Sequence, residues 1–179
     1  MQLQAIGIKS FIILFILIAV GPIVAGLVLQ RQIGTFNHIV FWSILAISAL
    51  TFGIIGISML NRSVILKDGF LTTESSFYSI TIPLANITSV DLIITGSTDD
   101  LVGIRLNGIG LPGFRSGWFN SKAGDRLFVD KVEGEYLLIS VDGKPRLALQ
   151  FGNNEAAAKI LTSNIHDLRK SGLGKAFAP

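Results

Sequence analysis

The chain has 179 residues, half of them hydrophobic and only 15% charged, with a mean hydropathy of +0.60 and no cysteine. An ordinary soluble chain carries about 25% charged residues, so part of this one is built for lipid, and the missing cysteines exclude disulfides, thiolate metal sites and a cysteine nucleophile. The net charge of +3 does not indicate nucleic acid: from Asn61 onward 13 Lys or Arg stand against 12 Asp or Glu, scattered without the clustered basic face such a partner needs.

The first element is an uncharged run of 19 residues, Phe11 to Leu29, between Lys9 and Arg31. As a helix it would be about 28 Å long, close to the hydrocarbon thickness of a bilayer. A cleaved signal peptide has a shorter apolar stretch, of about 7–15 residues, and Pro22 would directly follow a cut after Gly21. Gly21-Pro22 frees a backbone carbonyl and predicts a kink in mid-span. Ile39 to Leu60 is a second uncharged run, of 22 residues, with Trp42 placed as an interfacial anchor. The short polar connection "QRQIGTFNH" makes the two a helical hairpin, residues 1–62, with spans at about 10–29 and 39–60.

Lys9, Arg62 and Lys67 lie on one side of the spans and Arg31 alone on the other. The positive-inside tendency therefore puts both termini in the cytoplasm. Ala46, Ala49, Gly53 and Gly56 make a groove of small residues along the second span, which lets backbones approach closely. Packing against the first span, with Gly21 near Ala49 and Ala25 near Ala46, is the simpler expectation; homodimerisation through the groove is the other. No ionisable residue lies inside either span, which argues for an anchor and against an ion or proton pathway.

Residues 63–170 form a second unit. "SVILKDGFLTT" reads as strand, Asp68-Gly69 turn, strand. "SFYSITIPL" alternates and ends at Pro83, and "ITSVDLIIT" and "LVGIRL" are further strands. Turn signals at Ala123-Gly124-Asp125, Glu133-Gly134-Glu135 and Asp142-Gly143 recur about every ten residues, which predicts an antiparallel meander. Its strands run over about Trp118–Ser121, Arg126–Lys131, Tyr136–Val141 and Arg146–Phe151. A helix follows at about 154–170, capped by Asn153 or Asn154 and opened by Glu155. Ala157, Ile160, Leu161, Ile165 and Leu168 supply its apolar stripe, and Gly172 and Gly174 stop it. Its task is to cover the open end of a small sandwich or barrel. Residues 171–179 are expected to form a flexible tail.

Between the fifth strand and the meander stands "NGIGLPGFRSGWF", which contains Gly108-x-Gly110-x-x-Gly113, a literal G-x-G-x-x-G. A dinucleotide site needs a helix after that turn, inside a βαβ unit. Here "FRSGWFNSKAGDR" has no helical stripe and Pro112 removes a backbone N–H, so no nucleotide cofactor is expected. Pro112-Gly113 suits the centre of a type II turn. Gly108 and Gly110 permit close backbone approach or passage under an aromatic ring, and Phe114, Trp118 and Phe119 offer area for a core. The remaining reading is a partner-binding surface centred on Arg115 and Trp118.

"YSITIPLANITSV" followed by that glycine-rich stretch resembles the bacterial pleckstrin-homology-like domain of small membrane proteins. The matches are Ile82, Pro83, Leu84, Ile87, Ser89 and Val90, then Gly108, Gly110, Leu111, Pro112, Gly113, Gly117 and Phe119. The resemblance covers about Leu71 to Arg169. It implies two packed antiparallel sheets closed at one end by the C-terminal helix, and a module for binding or assembly without catalysis. The helix start "FGNNEAAA" departs from the Ser-Pro-acid cap usual in that family.

The fold expected is thus two transmembrane helices followed by a mainly antiparallel β sandwich or barrel of pleckstrin-homology-like type with one C-terminal helix. Its partners are the bilayer and a protein partner or further copies of itself. Headgroup binding is the alternative, with Arg105, Arg115, Lys122 and Arg126 as the cations near the signature. Catalysis finds little: His38 belongs to the interfacial connection and His166 to the terminal helix. The neighbours Asp99 and Asp100 point apart, and no nucleophile stands beside a base. No cofactor or metal is expected.

Overall fold

The computed structural model describes residues 1–33, 38–94, 101–132, 134–143 and 145–171. The centre of the "QRQIGTFNH" connection, the pair Asp99-Asp100, Glu133 of one turn signal and the C-terminal tail beyond Ser171 lie outside the described residues. Two helical stretches are long and apolar enough to cross a membrane, Ile8–Leu29 and His38–Leu60. The first is made of α1 (Ile8–Phe15), a π-helical turn (Ile16–Val20) and α2 (Gly21–Ile33); the second is α3 (His38–Leu60). The π turn is the local consequence of Pro22. A proline has no N–H to return to the preceding turn, and one step earlier the Gly21 N–H reaches back five residues to the Ile16 carbonyl. The defect expected at Gly21-Pro22 therefore appears as a widened turn just before it.

The two helices meet on a face other than the small-residue groove. Phe15 sets its ring edge-on to Phe52 at 5.6 Å, Leu14 and Met59 are buried together, and Ile44 lies beside Gly26. Ala25, Ala46 and Ala49 are exposed. A side chain on Gly53 or Gly56 would meet nothing within 4 Å, and one on Gly21 only its own helix. The expectation that the groove seats the first span is corrected: large side chains at Phe52, Ile55 and Met59 fill the seam, and the small residues face outward.

Among the described residues nine strands follow: β1 (Arg62–Lys67), β2 (Phe70–Ser75), β3 (Tyr78–Pro83), β4 (Ile87–Ile93), β5 (Val102–Leu111), β6 (Phe114–Ser121), β7 (Arg126–Val132), β8 (Tyr136–Val141) and β9 (Arg146–Leu149). The first three form one antiparallel sheet. Its first turn, Asp68-Gly69, has φ of +51° and +79°, the left-handed pair that a two-residue hairpin demands. The other six make a sheet in the order β4-β8-β9-β7-β6-β5. This is not the simple meander expected from the turn spacing. The β9 strand inserts between β8 and β7 and runs parallel to β7, pairing Leu127 with Arg146 and Asp130 with Leu149. Every other neighbouring pair in the sheet is antiparallel.

One face of the six-stranded sheet, with Phe128, Leu137, Ile139, Leu147 and Leu149, packs on Val64, Leu71 and Ile82 of the smaller sheet. The last helix, α4 (Asn154–Lys170), closes this core with Ala157, Leu161 and Ile165. Burying a Leu or Ile contributes about 1.5–3 kcal/mol, so this stripe holds the helix in place. Ile160, expected in the stripe, is largely exposed. Asn153 is the cap, its side chain accepting from the Ala156 N–H at 2.9 Å.

The first seven residues, counted with the hairpin unit 1–62 from the sequence, pack on the β unit. Leu3 forms an antiparallel bridge with Phe151, the Gln4 N–H donates to the Gln150 carbonyl at 2.9 Å, and Met1 and Leu3 pack on the main core. The N-terminal segment and the β unit therefore lie on one side of the helical hairpin.

Candidate functional site

The glycine-rich stretch is a β-hairpin with almost no loop. The β5 and β6 strands pair up to Leu111 opposite Phe114, leaving Pro112-Gly113 as the whole turn, and Gly113 has φ of +81°, as the third residue of a type II turn requires. Gly108 faces Gly117. A Cβ on Gly108 would overlap the Ser116 carbonyl oxygen, and one on Gly117 would stand 2.7 Å from the Asn107 oxygen and 3.0 Å from the Tyr78 ring. The ring passage expected at Gly108 or Gly110 thus occurs at Gly117, whose φ of +111° also favours glycine. Tyr78 is held there by a 2.6 Å hydrogen bond from its hydroxyl to Asn107 Oδ1. A strand follows the turn where a phosphate site would need a helix, so the motif cannot present a helix N-terminus to a pyrophosphate.

The five side chains expected to form one surface are separated. Arg115 and Trp118 are three residues apart on β6, and side chains alternate along a strand. Trp118 therefore turns to the core, where it meets Phe128 edge-on at 5.2 Å, while Arg115 shares the other face with Gly110 and Lys131. Trp118 is thus partly buried against the core, on the opposite face from Arg115. Arg105 reaches along β5 towards the turn, its Nη1 3.8 Å from where a Cβ on Gly110 would be, so Arg105 and Arg115 flank Gly110 on one face. Lys122 and Arg126 lie at the far end of β6, about 20 Å away at ~3.3 Å per residue. Asp125, expected among the cations, pairs with Arg146 at 2.7 Å. The four cations do not make one pocket.

At the turn end, four segments of chain converge. The Ser10 hydroxyl of α1 donates to the Pro112 carbonyl at 3.3 Å. The Ser76 N–H, in the β2–β3 turn, donates to the carbonyl of Asn61, the residue after α3, at 3.0 Å. Ser116 joins the two turns, with its hydroxyl 2.7 Å from Ser75 Oγ and donating to Ser76 Oγ at 3.0 Å. Phe114, Leu14 and Met59 pack together beneath.

Arg62 locks this junction. Its Nε donates to both carboxylate oxygens of Asp130 at 2.9 and 3.0 Å, Nη2 donates to Oδ1, and Nη1 donates to the Gln4 carbonyl at 2.6 Å. The guanidinium stacks on the Phe114 ring. Both side chains are buried, at 6% and 0% exposure. Arg62, counted above among the charges flanking the spans, is therefore internally paired, and Lys67 stands at the far end of β1. Sequence reasoning missed this cluster because Arg62 and Asp130 are 68 residues apart. The N-terminal segment did leave a signal, since "MQLQA" alternates apolar and polar residues.

His166 is exposed on α4 and His38 begins α3. Among the described residues no group of three or more His, Asp or Glu could hold a metal ion. Comparison with protein-family models, curated proteins and solved structures returned no significant match.

Proposed function

We propose that the chain is a non-enzymatic, membrane-anchored module of pleckstrin-homology-like type that holds a protein partner, or further copies of itself, at the cytoplasmic face of a bacterial plasma membrane. The observation that carries this reading is the junction: both ends of the apolar hairpin are hydrogen-bonded into the β unit through Ser10, Asn61 and Arg62. A loosely tethered domain would need no such joint, whereas a scaffold must present its surface at a set height and angle. Two sheets with a helix across their open side support the pleckstrin-homology-like reading, and the parallel β7–β9 pair departs from it.

A fluorescent reporter that matures only in the cytoplasm, fused after Pro179, tests the side, and cross-linking of the same fusion tests the partner. The expected result is a bright reporter and a reproducible cross-linked neighbour, weakened by Arg115→Ala. A dark reporter on intact protein would place the β unit outside the cytoplasm and overturn the proposal. Headgroup contact is a second reading, and it draws on Arg105 and Arg115 alone, because Lys122 and Arg126 lie at the other end.

A further inference from the structure

The N-terminal segment lies on the β unit as an added strand lies on a sheet edge. The Gln4 N–H donates to the Gln150 carbonyl at 2.9 Å and the Gly152 N–H to the Gln2 carbonyl at 3.2 Å, and these bonds bracket the antiparallel pair Leu3–Phe151. Leu3 packs on the main core, while Gln2 is exposed. The wall beneath is held by bonds of its own. The Gln150 N–H donates to the Asp130 carbonyl and its Oε1 accepts from the Val132 N–H. The Phe151 N–H donates to Asn154 Oδ1 at 2.8 Å, and Asn154 is tied in turn to Glu135. What the segment occupies is an acceptor and a donor that any extended chain can meet. Open clefts run along both its sides, one of about 510 Å³ towards Ser63 and Val64 and one of about 360 Å³ towards Ala156 and Ile160.

The link to α1 is lightly seated too. Ala5 and Gly7 are exposed, and between them Ile6 touches the hairpin's own apolar cluster. Gly7 is extended, with φ of −68° and ψ of 146° and no side-chain cap bond, and a Cβ there would meet nothing within 4 Å. We infer that this segment is exchanged between copies, residues 2–4 of one chain lying against residues 150–152 of its neighbour. The residues that fit this edge are carried by every copy, and the bonds broken in one chain re-form in the other. Copies anchored in one membrane hold their segments at one level, which raises the effective concentration. The outward-facing Ala46, Ala49, Gly53 and Gly56 also let a second hairpin stand close. The inference rests on the reading of the chain as an anchored module that holds further copies of itself, and it names the contact that joins them.

The chain has no cysteine, so introduced pairs report single contacts. Gln2 and Gly152 share a backbone hydrogen bond, an antiparallel placement with Cα atoms about 5.5 Å apart, within disulfide reach. A Cβ on Gly152 would meet nothing within 4 Å. Full chains with Gln2→Cys and, on a larger tag, Gly152→Cys would be mixed in detergent, reconstituted together in phosphatidylcholine vesicles and oxidised. This pair should give several-fold more disulfide-linked dimer than Gln2→Cys mixed with Asp142→Cys on the far β8–β9 turn. Leu3→Asp in the Gln2→Cys chain should cut that dimer several-fold, because its segment no longer fits the edge. The same change in the Gly152→Cys chain should leave the dimer largely in place. Leu3→Ala repeats both arms with less risk to folding. A mixed dimer no stronger than the Asp142→Cys control would overturn the inference, and so would equal losses from the two placements. A neighbour captured in cells by the fluorescent fusion, without the mixed disulfide in vesicles, removes the exchange and leaves the module standing. No neighbour in either experiment removes both.

Discussion

Asp130 accepts three guanidinium hydrogen bonds from Arg62 at the buried joint between the helical hairpin and the larger sheet. Breaking such a pair from one side leaves an uncompensated buried charge, which costs about 3–5 kcal/mol. Arg62→Met in the full chain in detergent should therefore lower the melting temperature steeply, and Asp130→Leu added to it should restore most of the loss. A double variant no better than the single one would mean that Gln4 and Phe114 are the important partners of Arg62. Thr73 offers the opposite case, because its buried Oγ1 is without a partner among the described residues. An unsatisfied buried hydroxyl costs about 1–3 kcal/mol, so Thr73→Val should raise stability in a denaturant titration. Gly117 and Gly124 both have positive φ, +111° and +94°, but only Gly117 is crowded by backbone and by Tyr78. Gly117→Ala should cost clearly more than Gly124→Ala, whose penalty is backbone strain alone, on the order of 1 kcal/mol. Equal losses would show that the Tyr78 contact contributes nothing.

At the scale of elements, α4 and the N-terminal segment both close the β unit but are held differently. The α4 helix has a capped start and a buried stripe, and Leu161→Ala should cost about 2–5 kcal/mol by leaving a cavity. The N-terminal segment is held by the Leu3 bridge, the Gln4 bonds and two partly buried apolar side chains. Leu3→Asp should therefore loosen the seam between the sheets, seen as faster amide exchange at Gln150 and Gly152 before any global unfolding. Unchanged exchange there would mean that the sheets hold without the segment. The helix was legible in the sequence in place and extent, though not in the exposure of Ile160, because cap, stripe and period are all local. The N-terminal segment was passed over because five alternating residues are a weak signal beside the long apolar run that follows.

For the whole molecule, the apolar helices and the β unit share a packed joint, with Leu14 and Met59 buried against Phe114. A fragment beginning at Ser63 would lose Arg62, the N-terminal segment and that packing together. It would leave Asp130 buried without its cation. Such a fragment should melt well below the full chain or aggregate, as light scattering would show. A fragment as stable as the full chain would make the joint a contact without energetic weight.

Several properties of this protein were decided by the sequence alone. Two uncharged runs determine two apolar helices, since helix length and hydropathy are set within one segment. Turn pairs such as Asp68-Gly69 and Pro112-Gly113 determine where the chain reverses, because their backbone preferences act over four residues. The glycine motif's failure as a nucleotide loop was equally legible, from the missing helix behind it. Tertiary structure alone decided which strands became neighbours, and the insertion of β9 beside β7 leaves no trace in turn spacing. It also decided that Arg115 and Trp118 face opposite ways in a sheet whose inner side is occupied by Phe128, that the small-residue groove faces outward, and that Arg62 spans 68 residues to reach Asp130. Each of these depends on pairing between segments far apart in the chain. A side chain's own neighbours specify its conformation, but its partner is specified by whichever distant surface the packing brings against it.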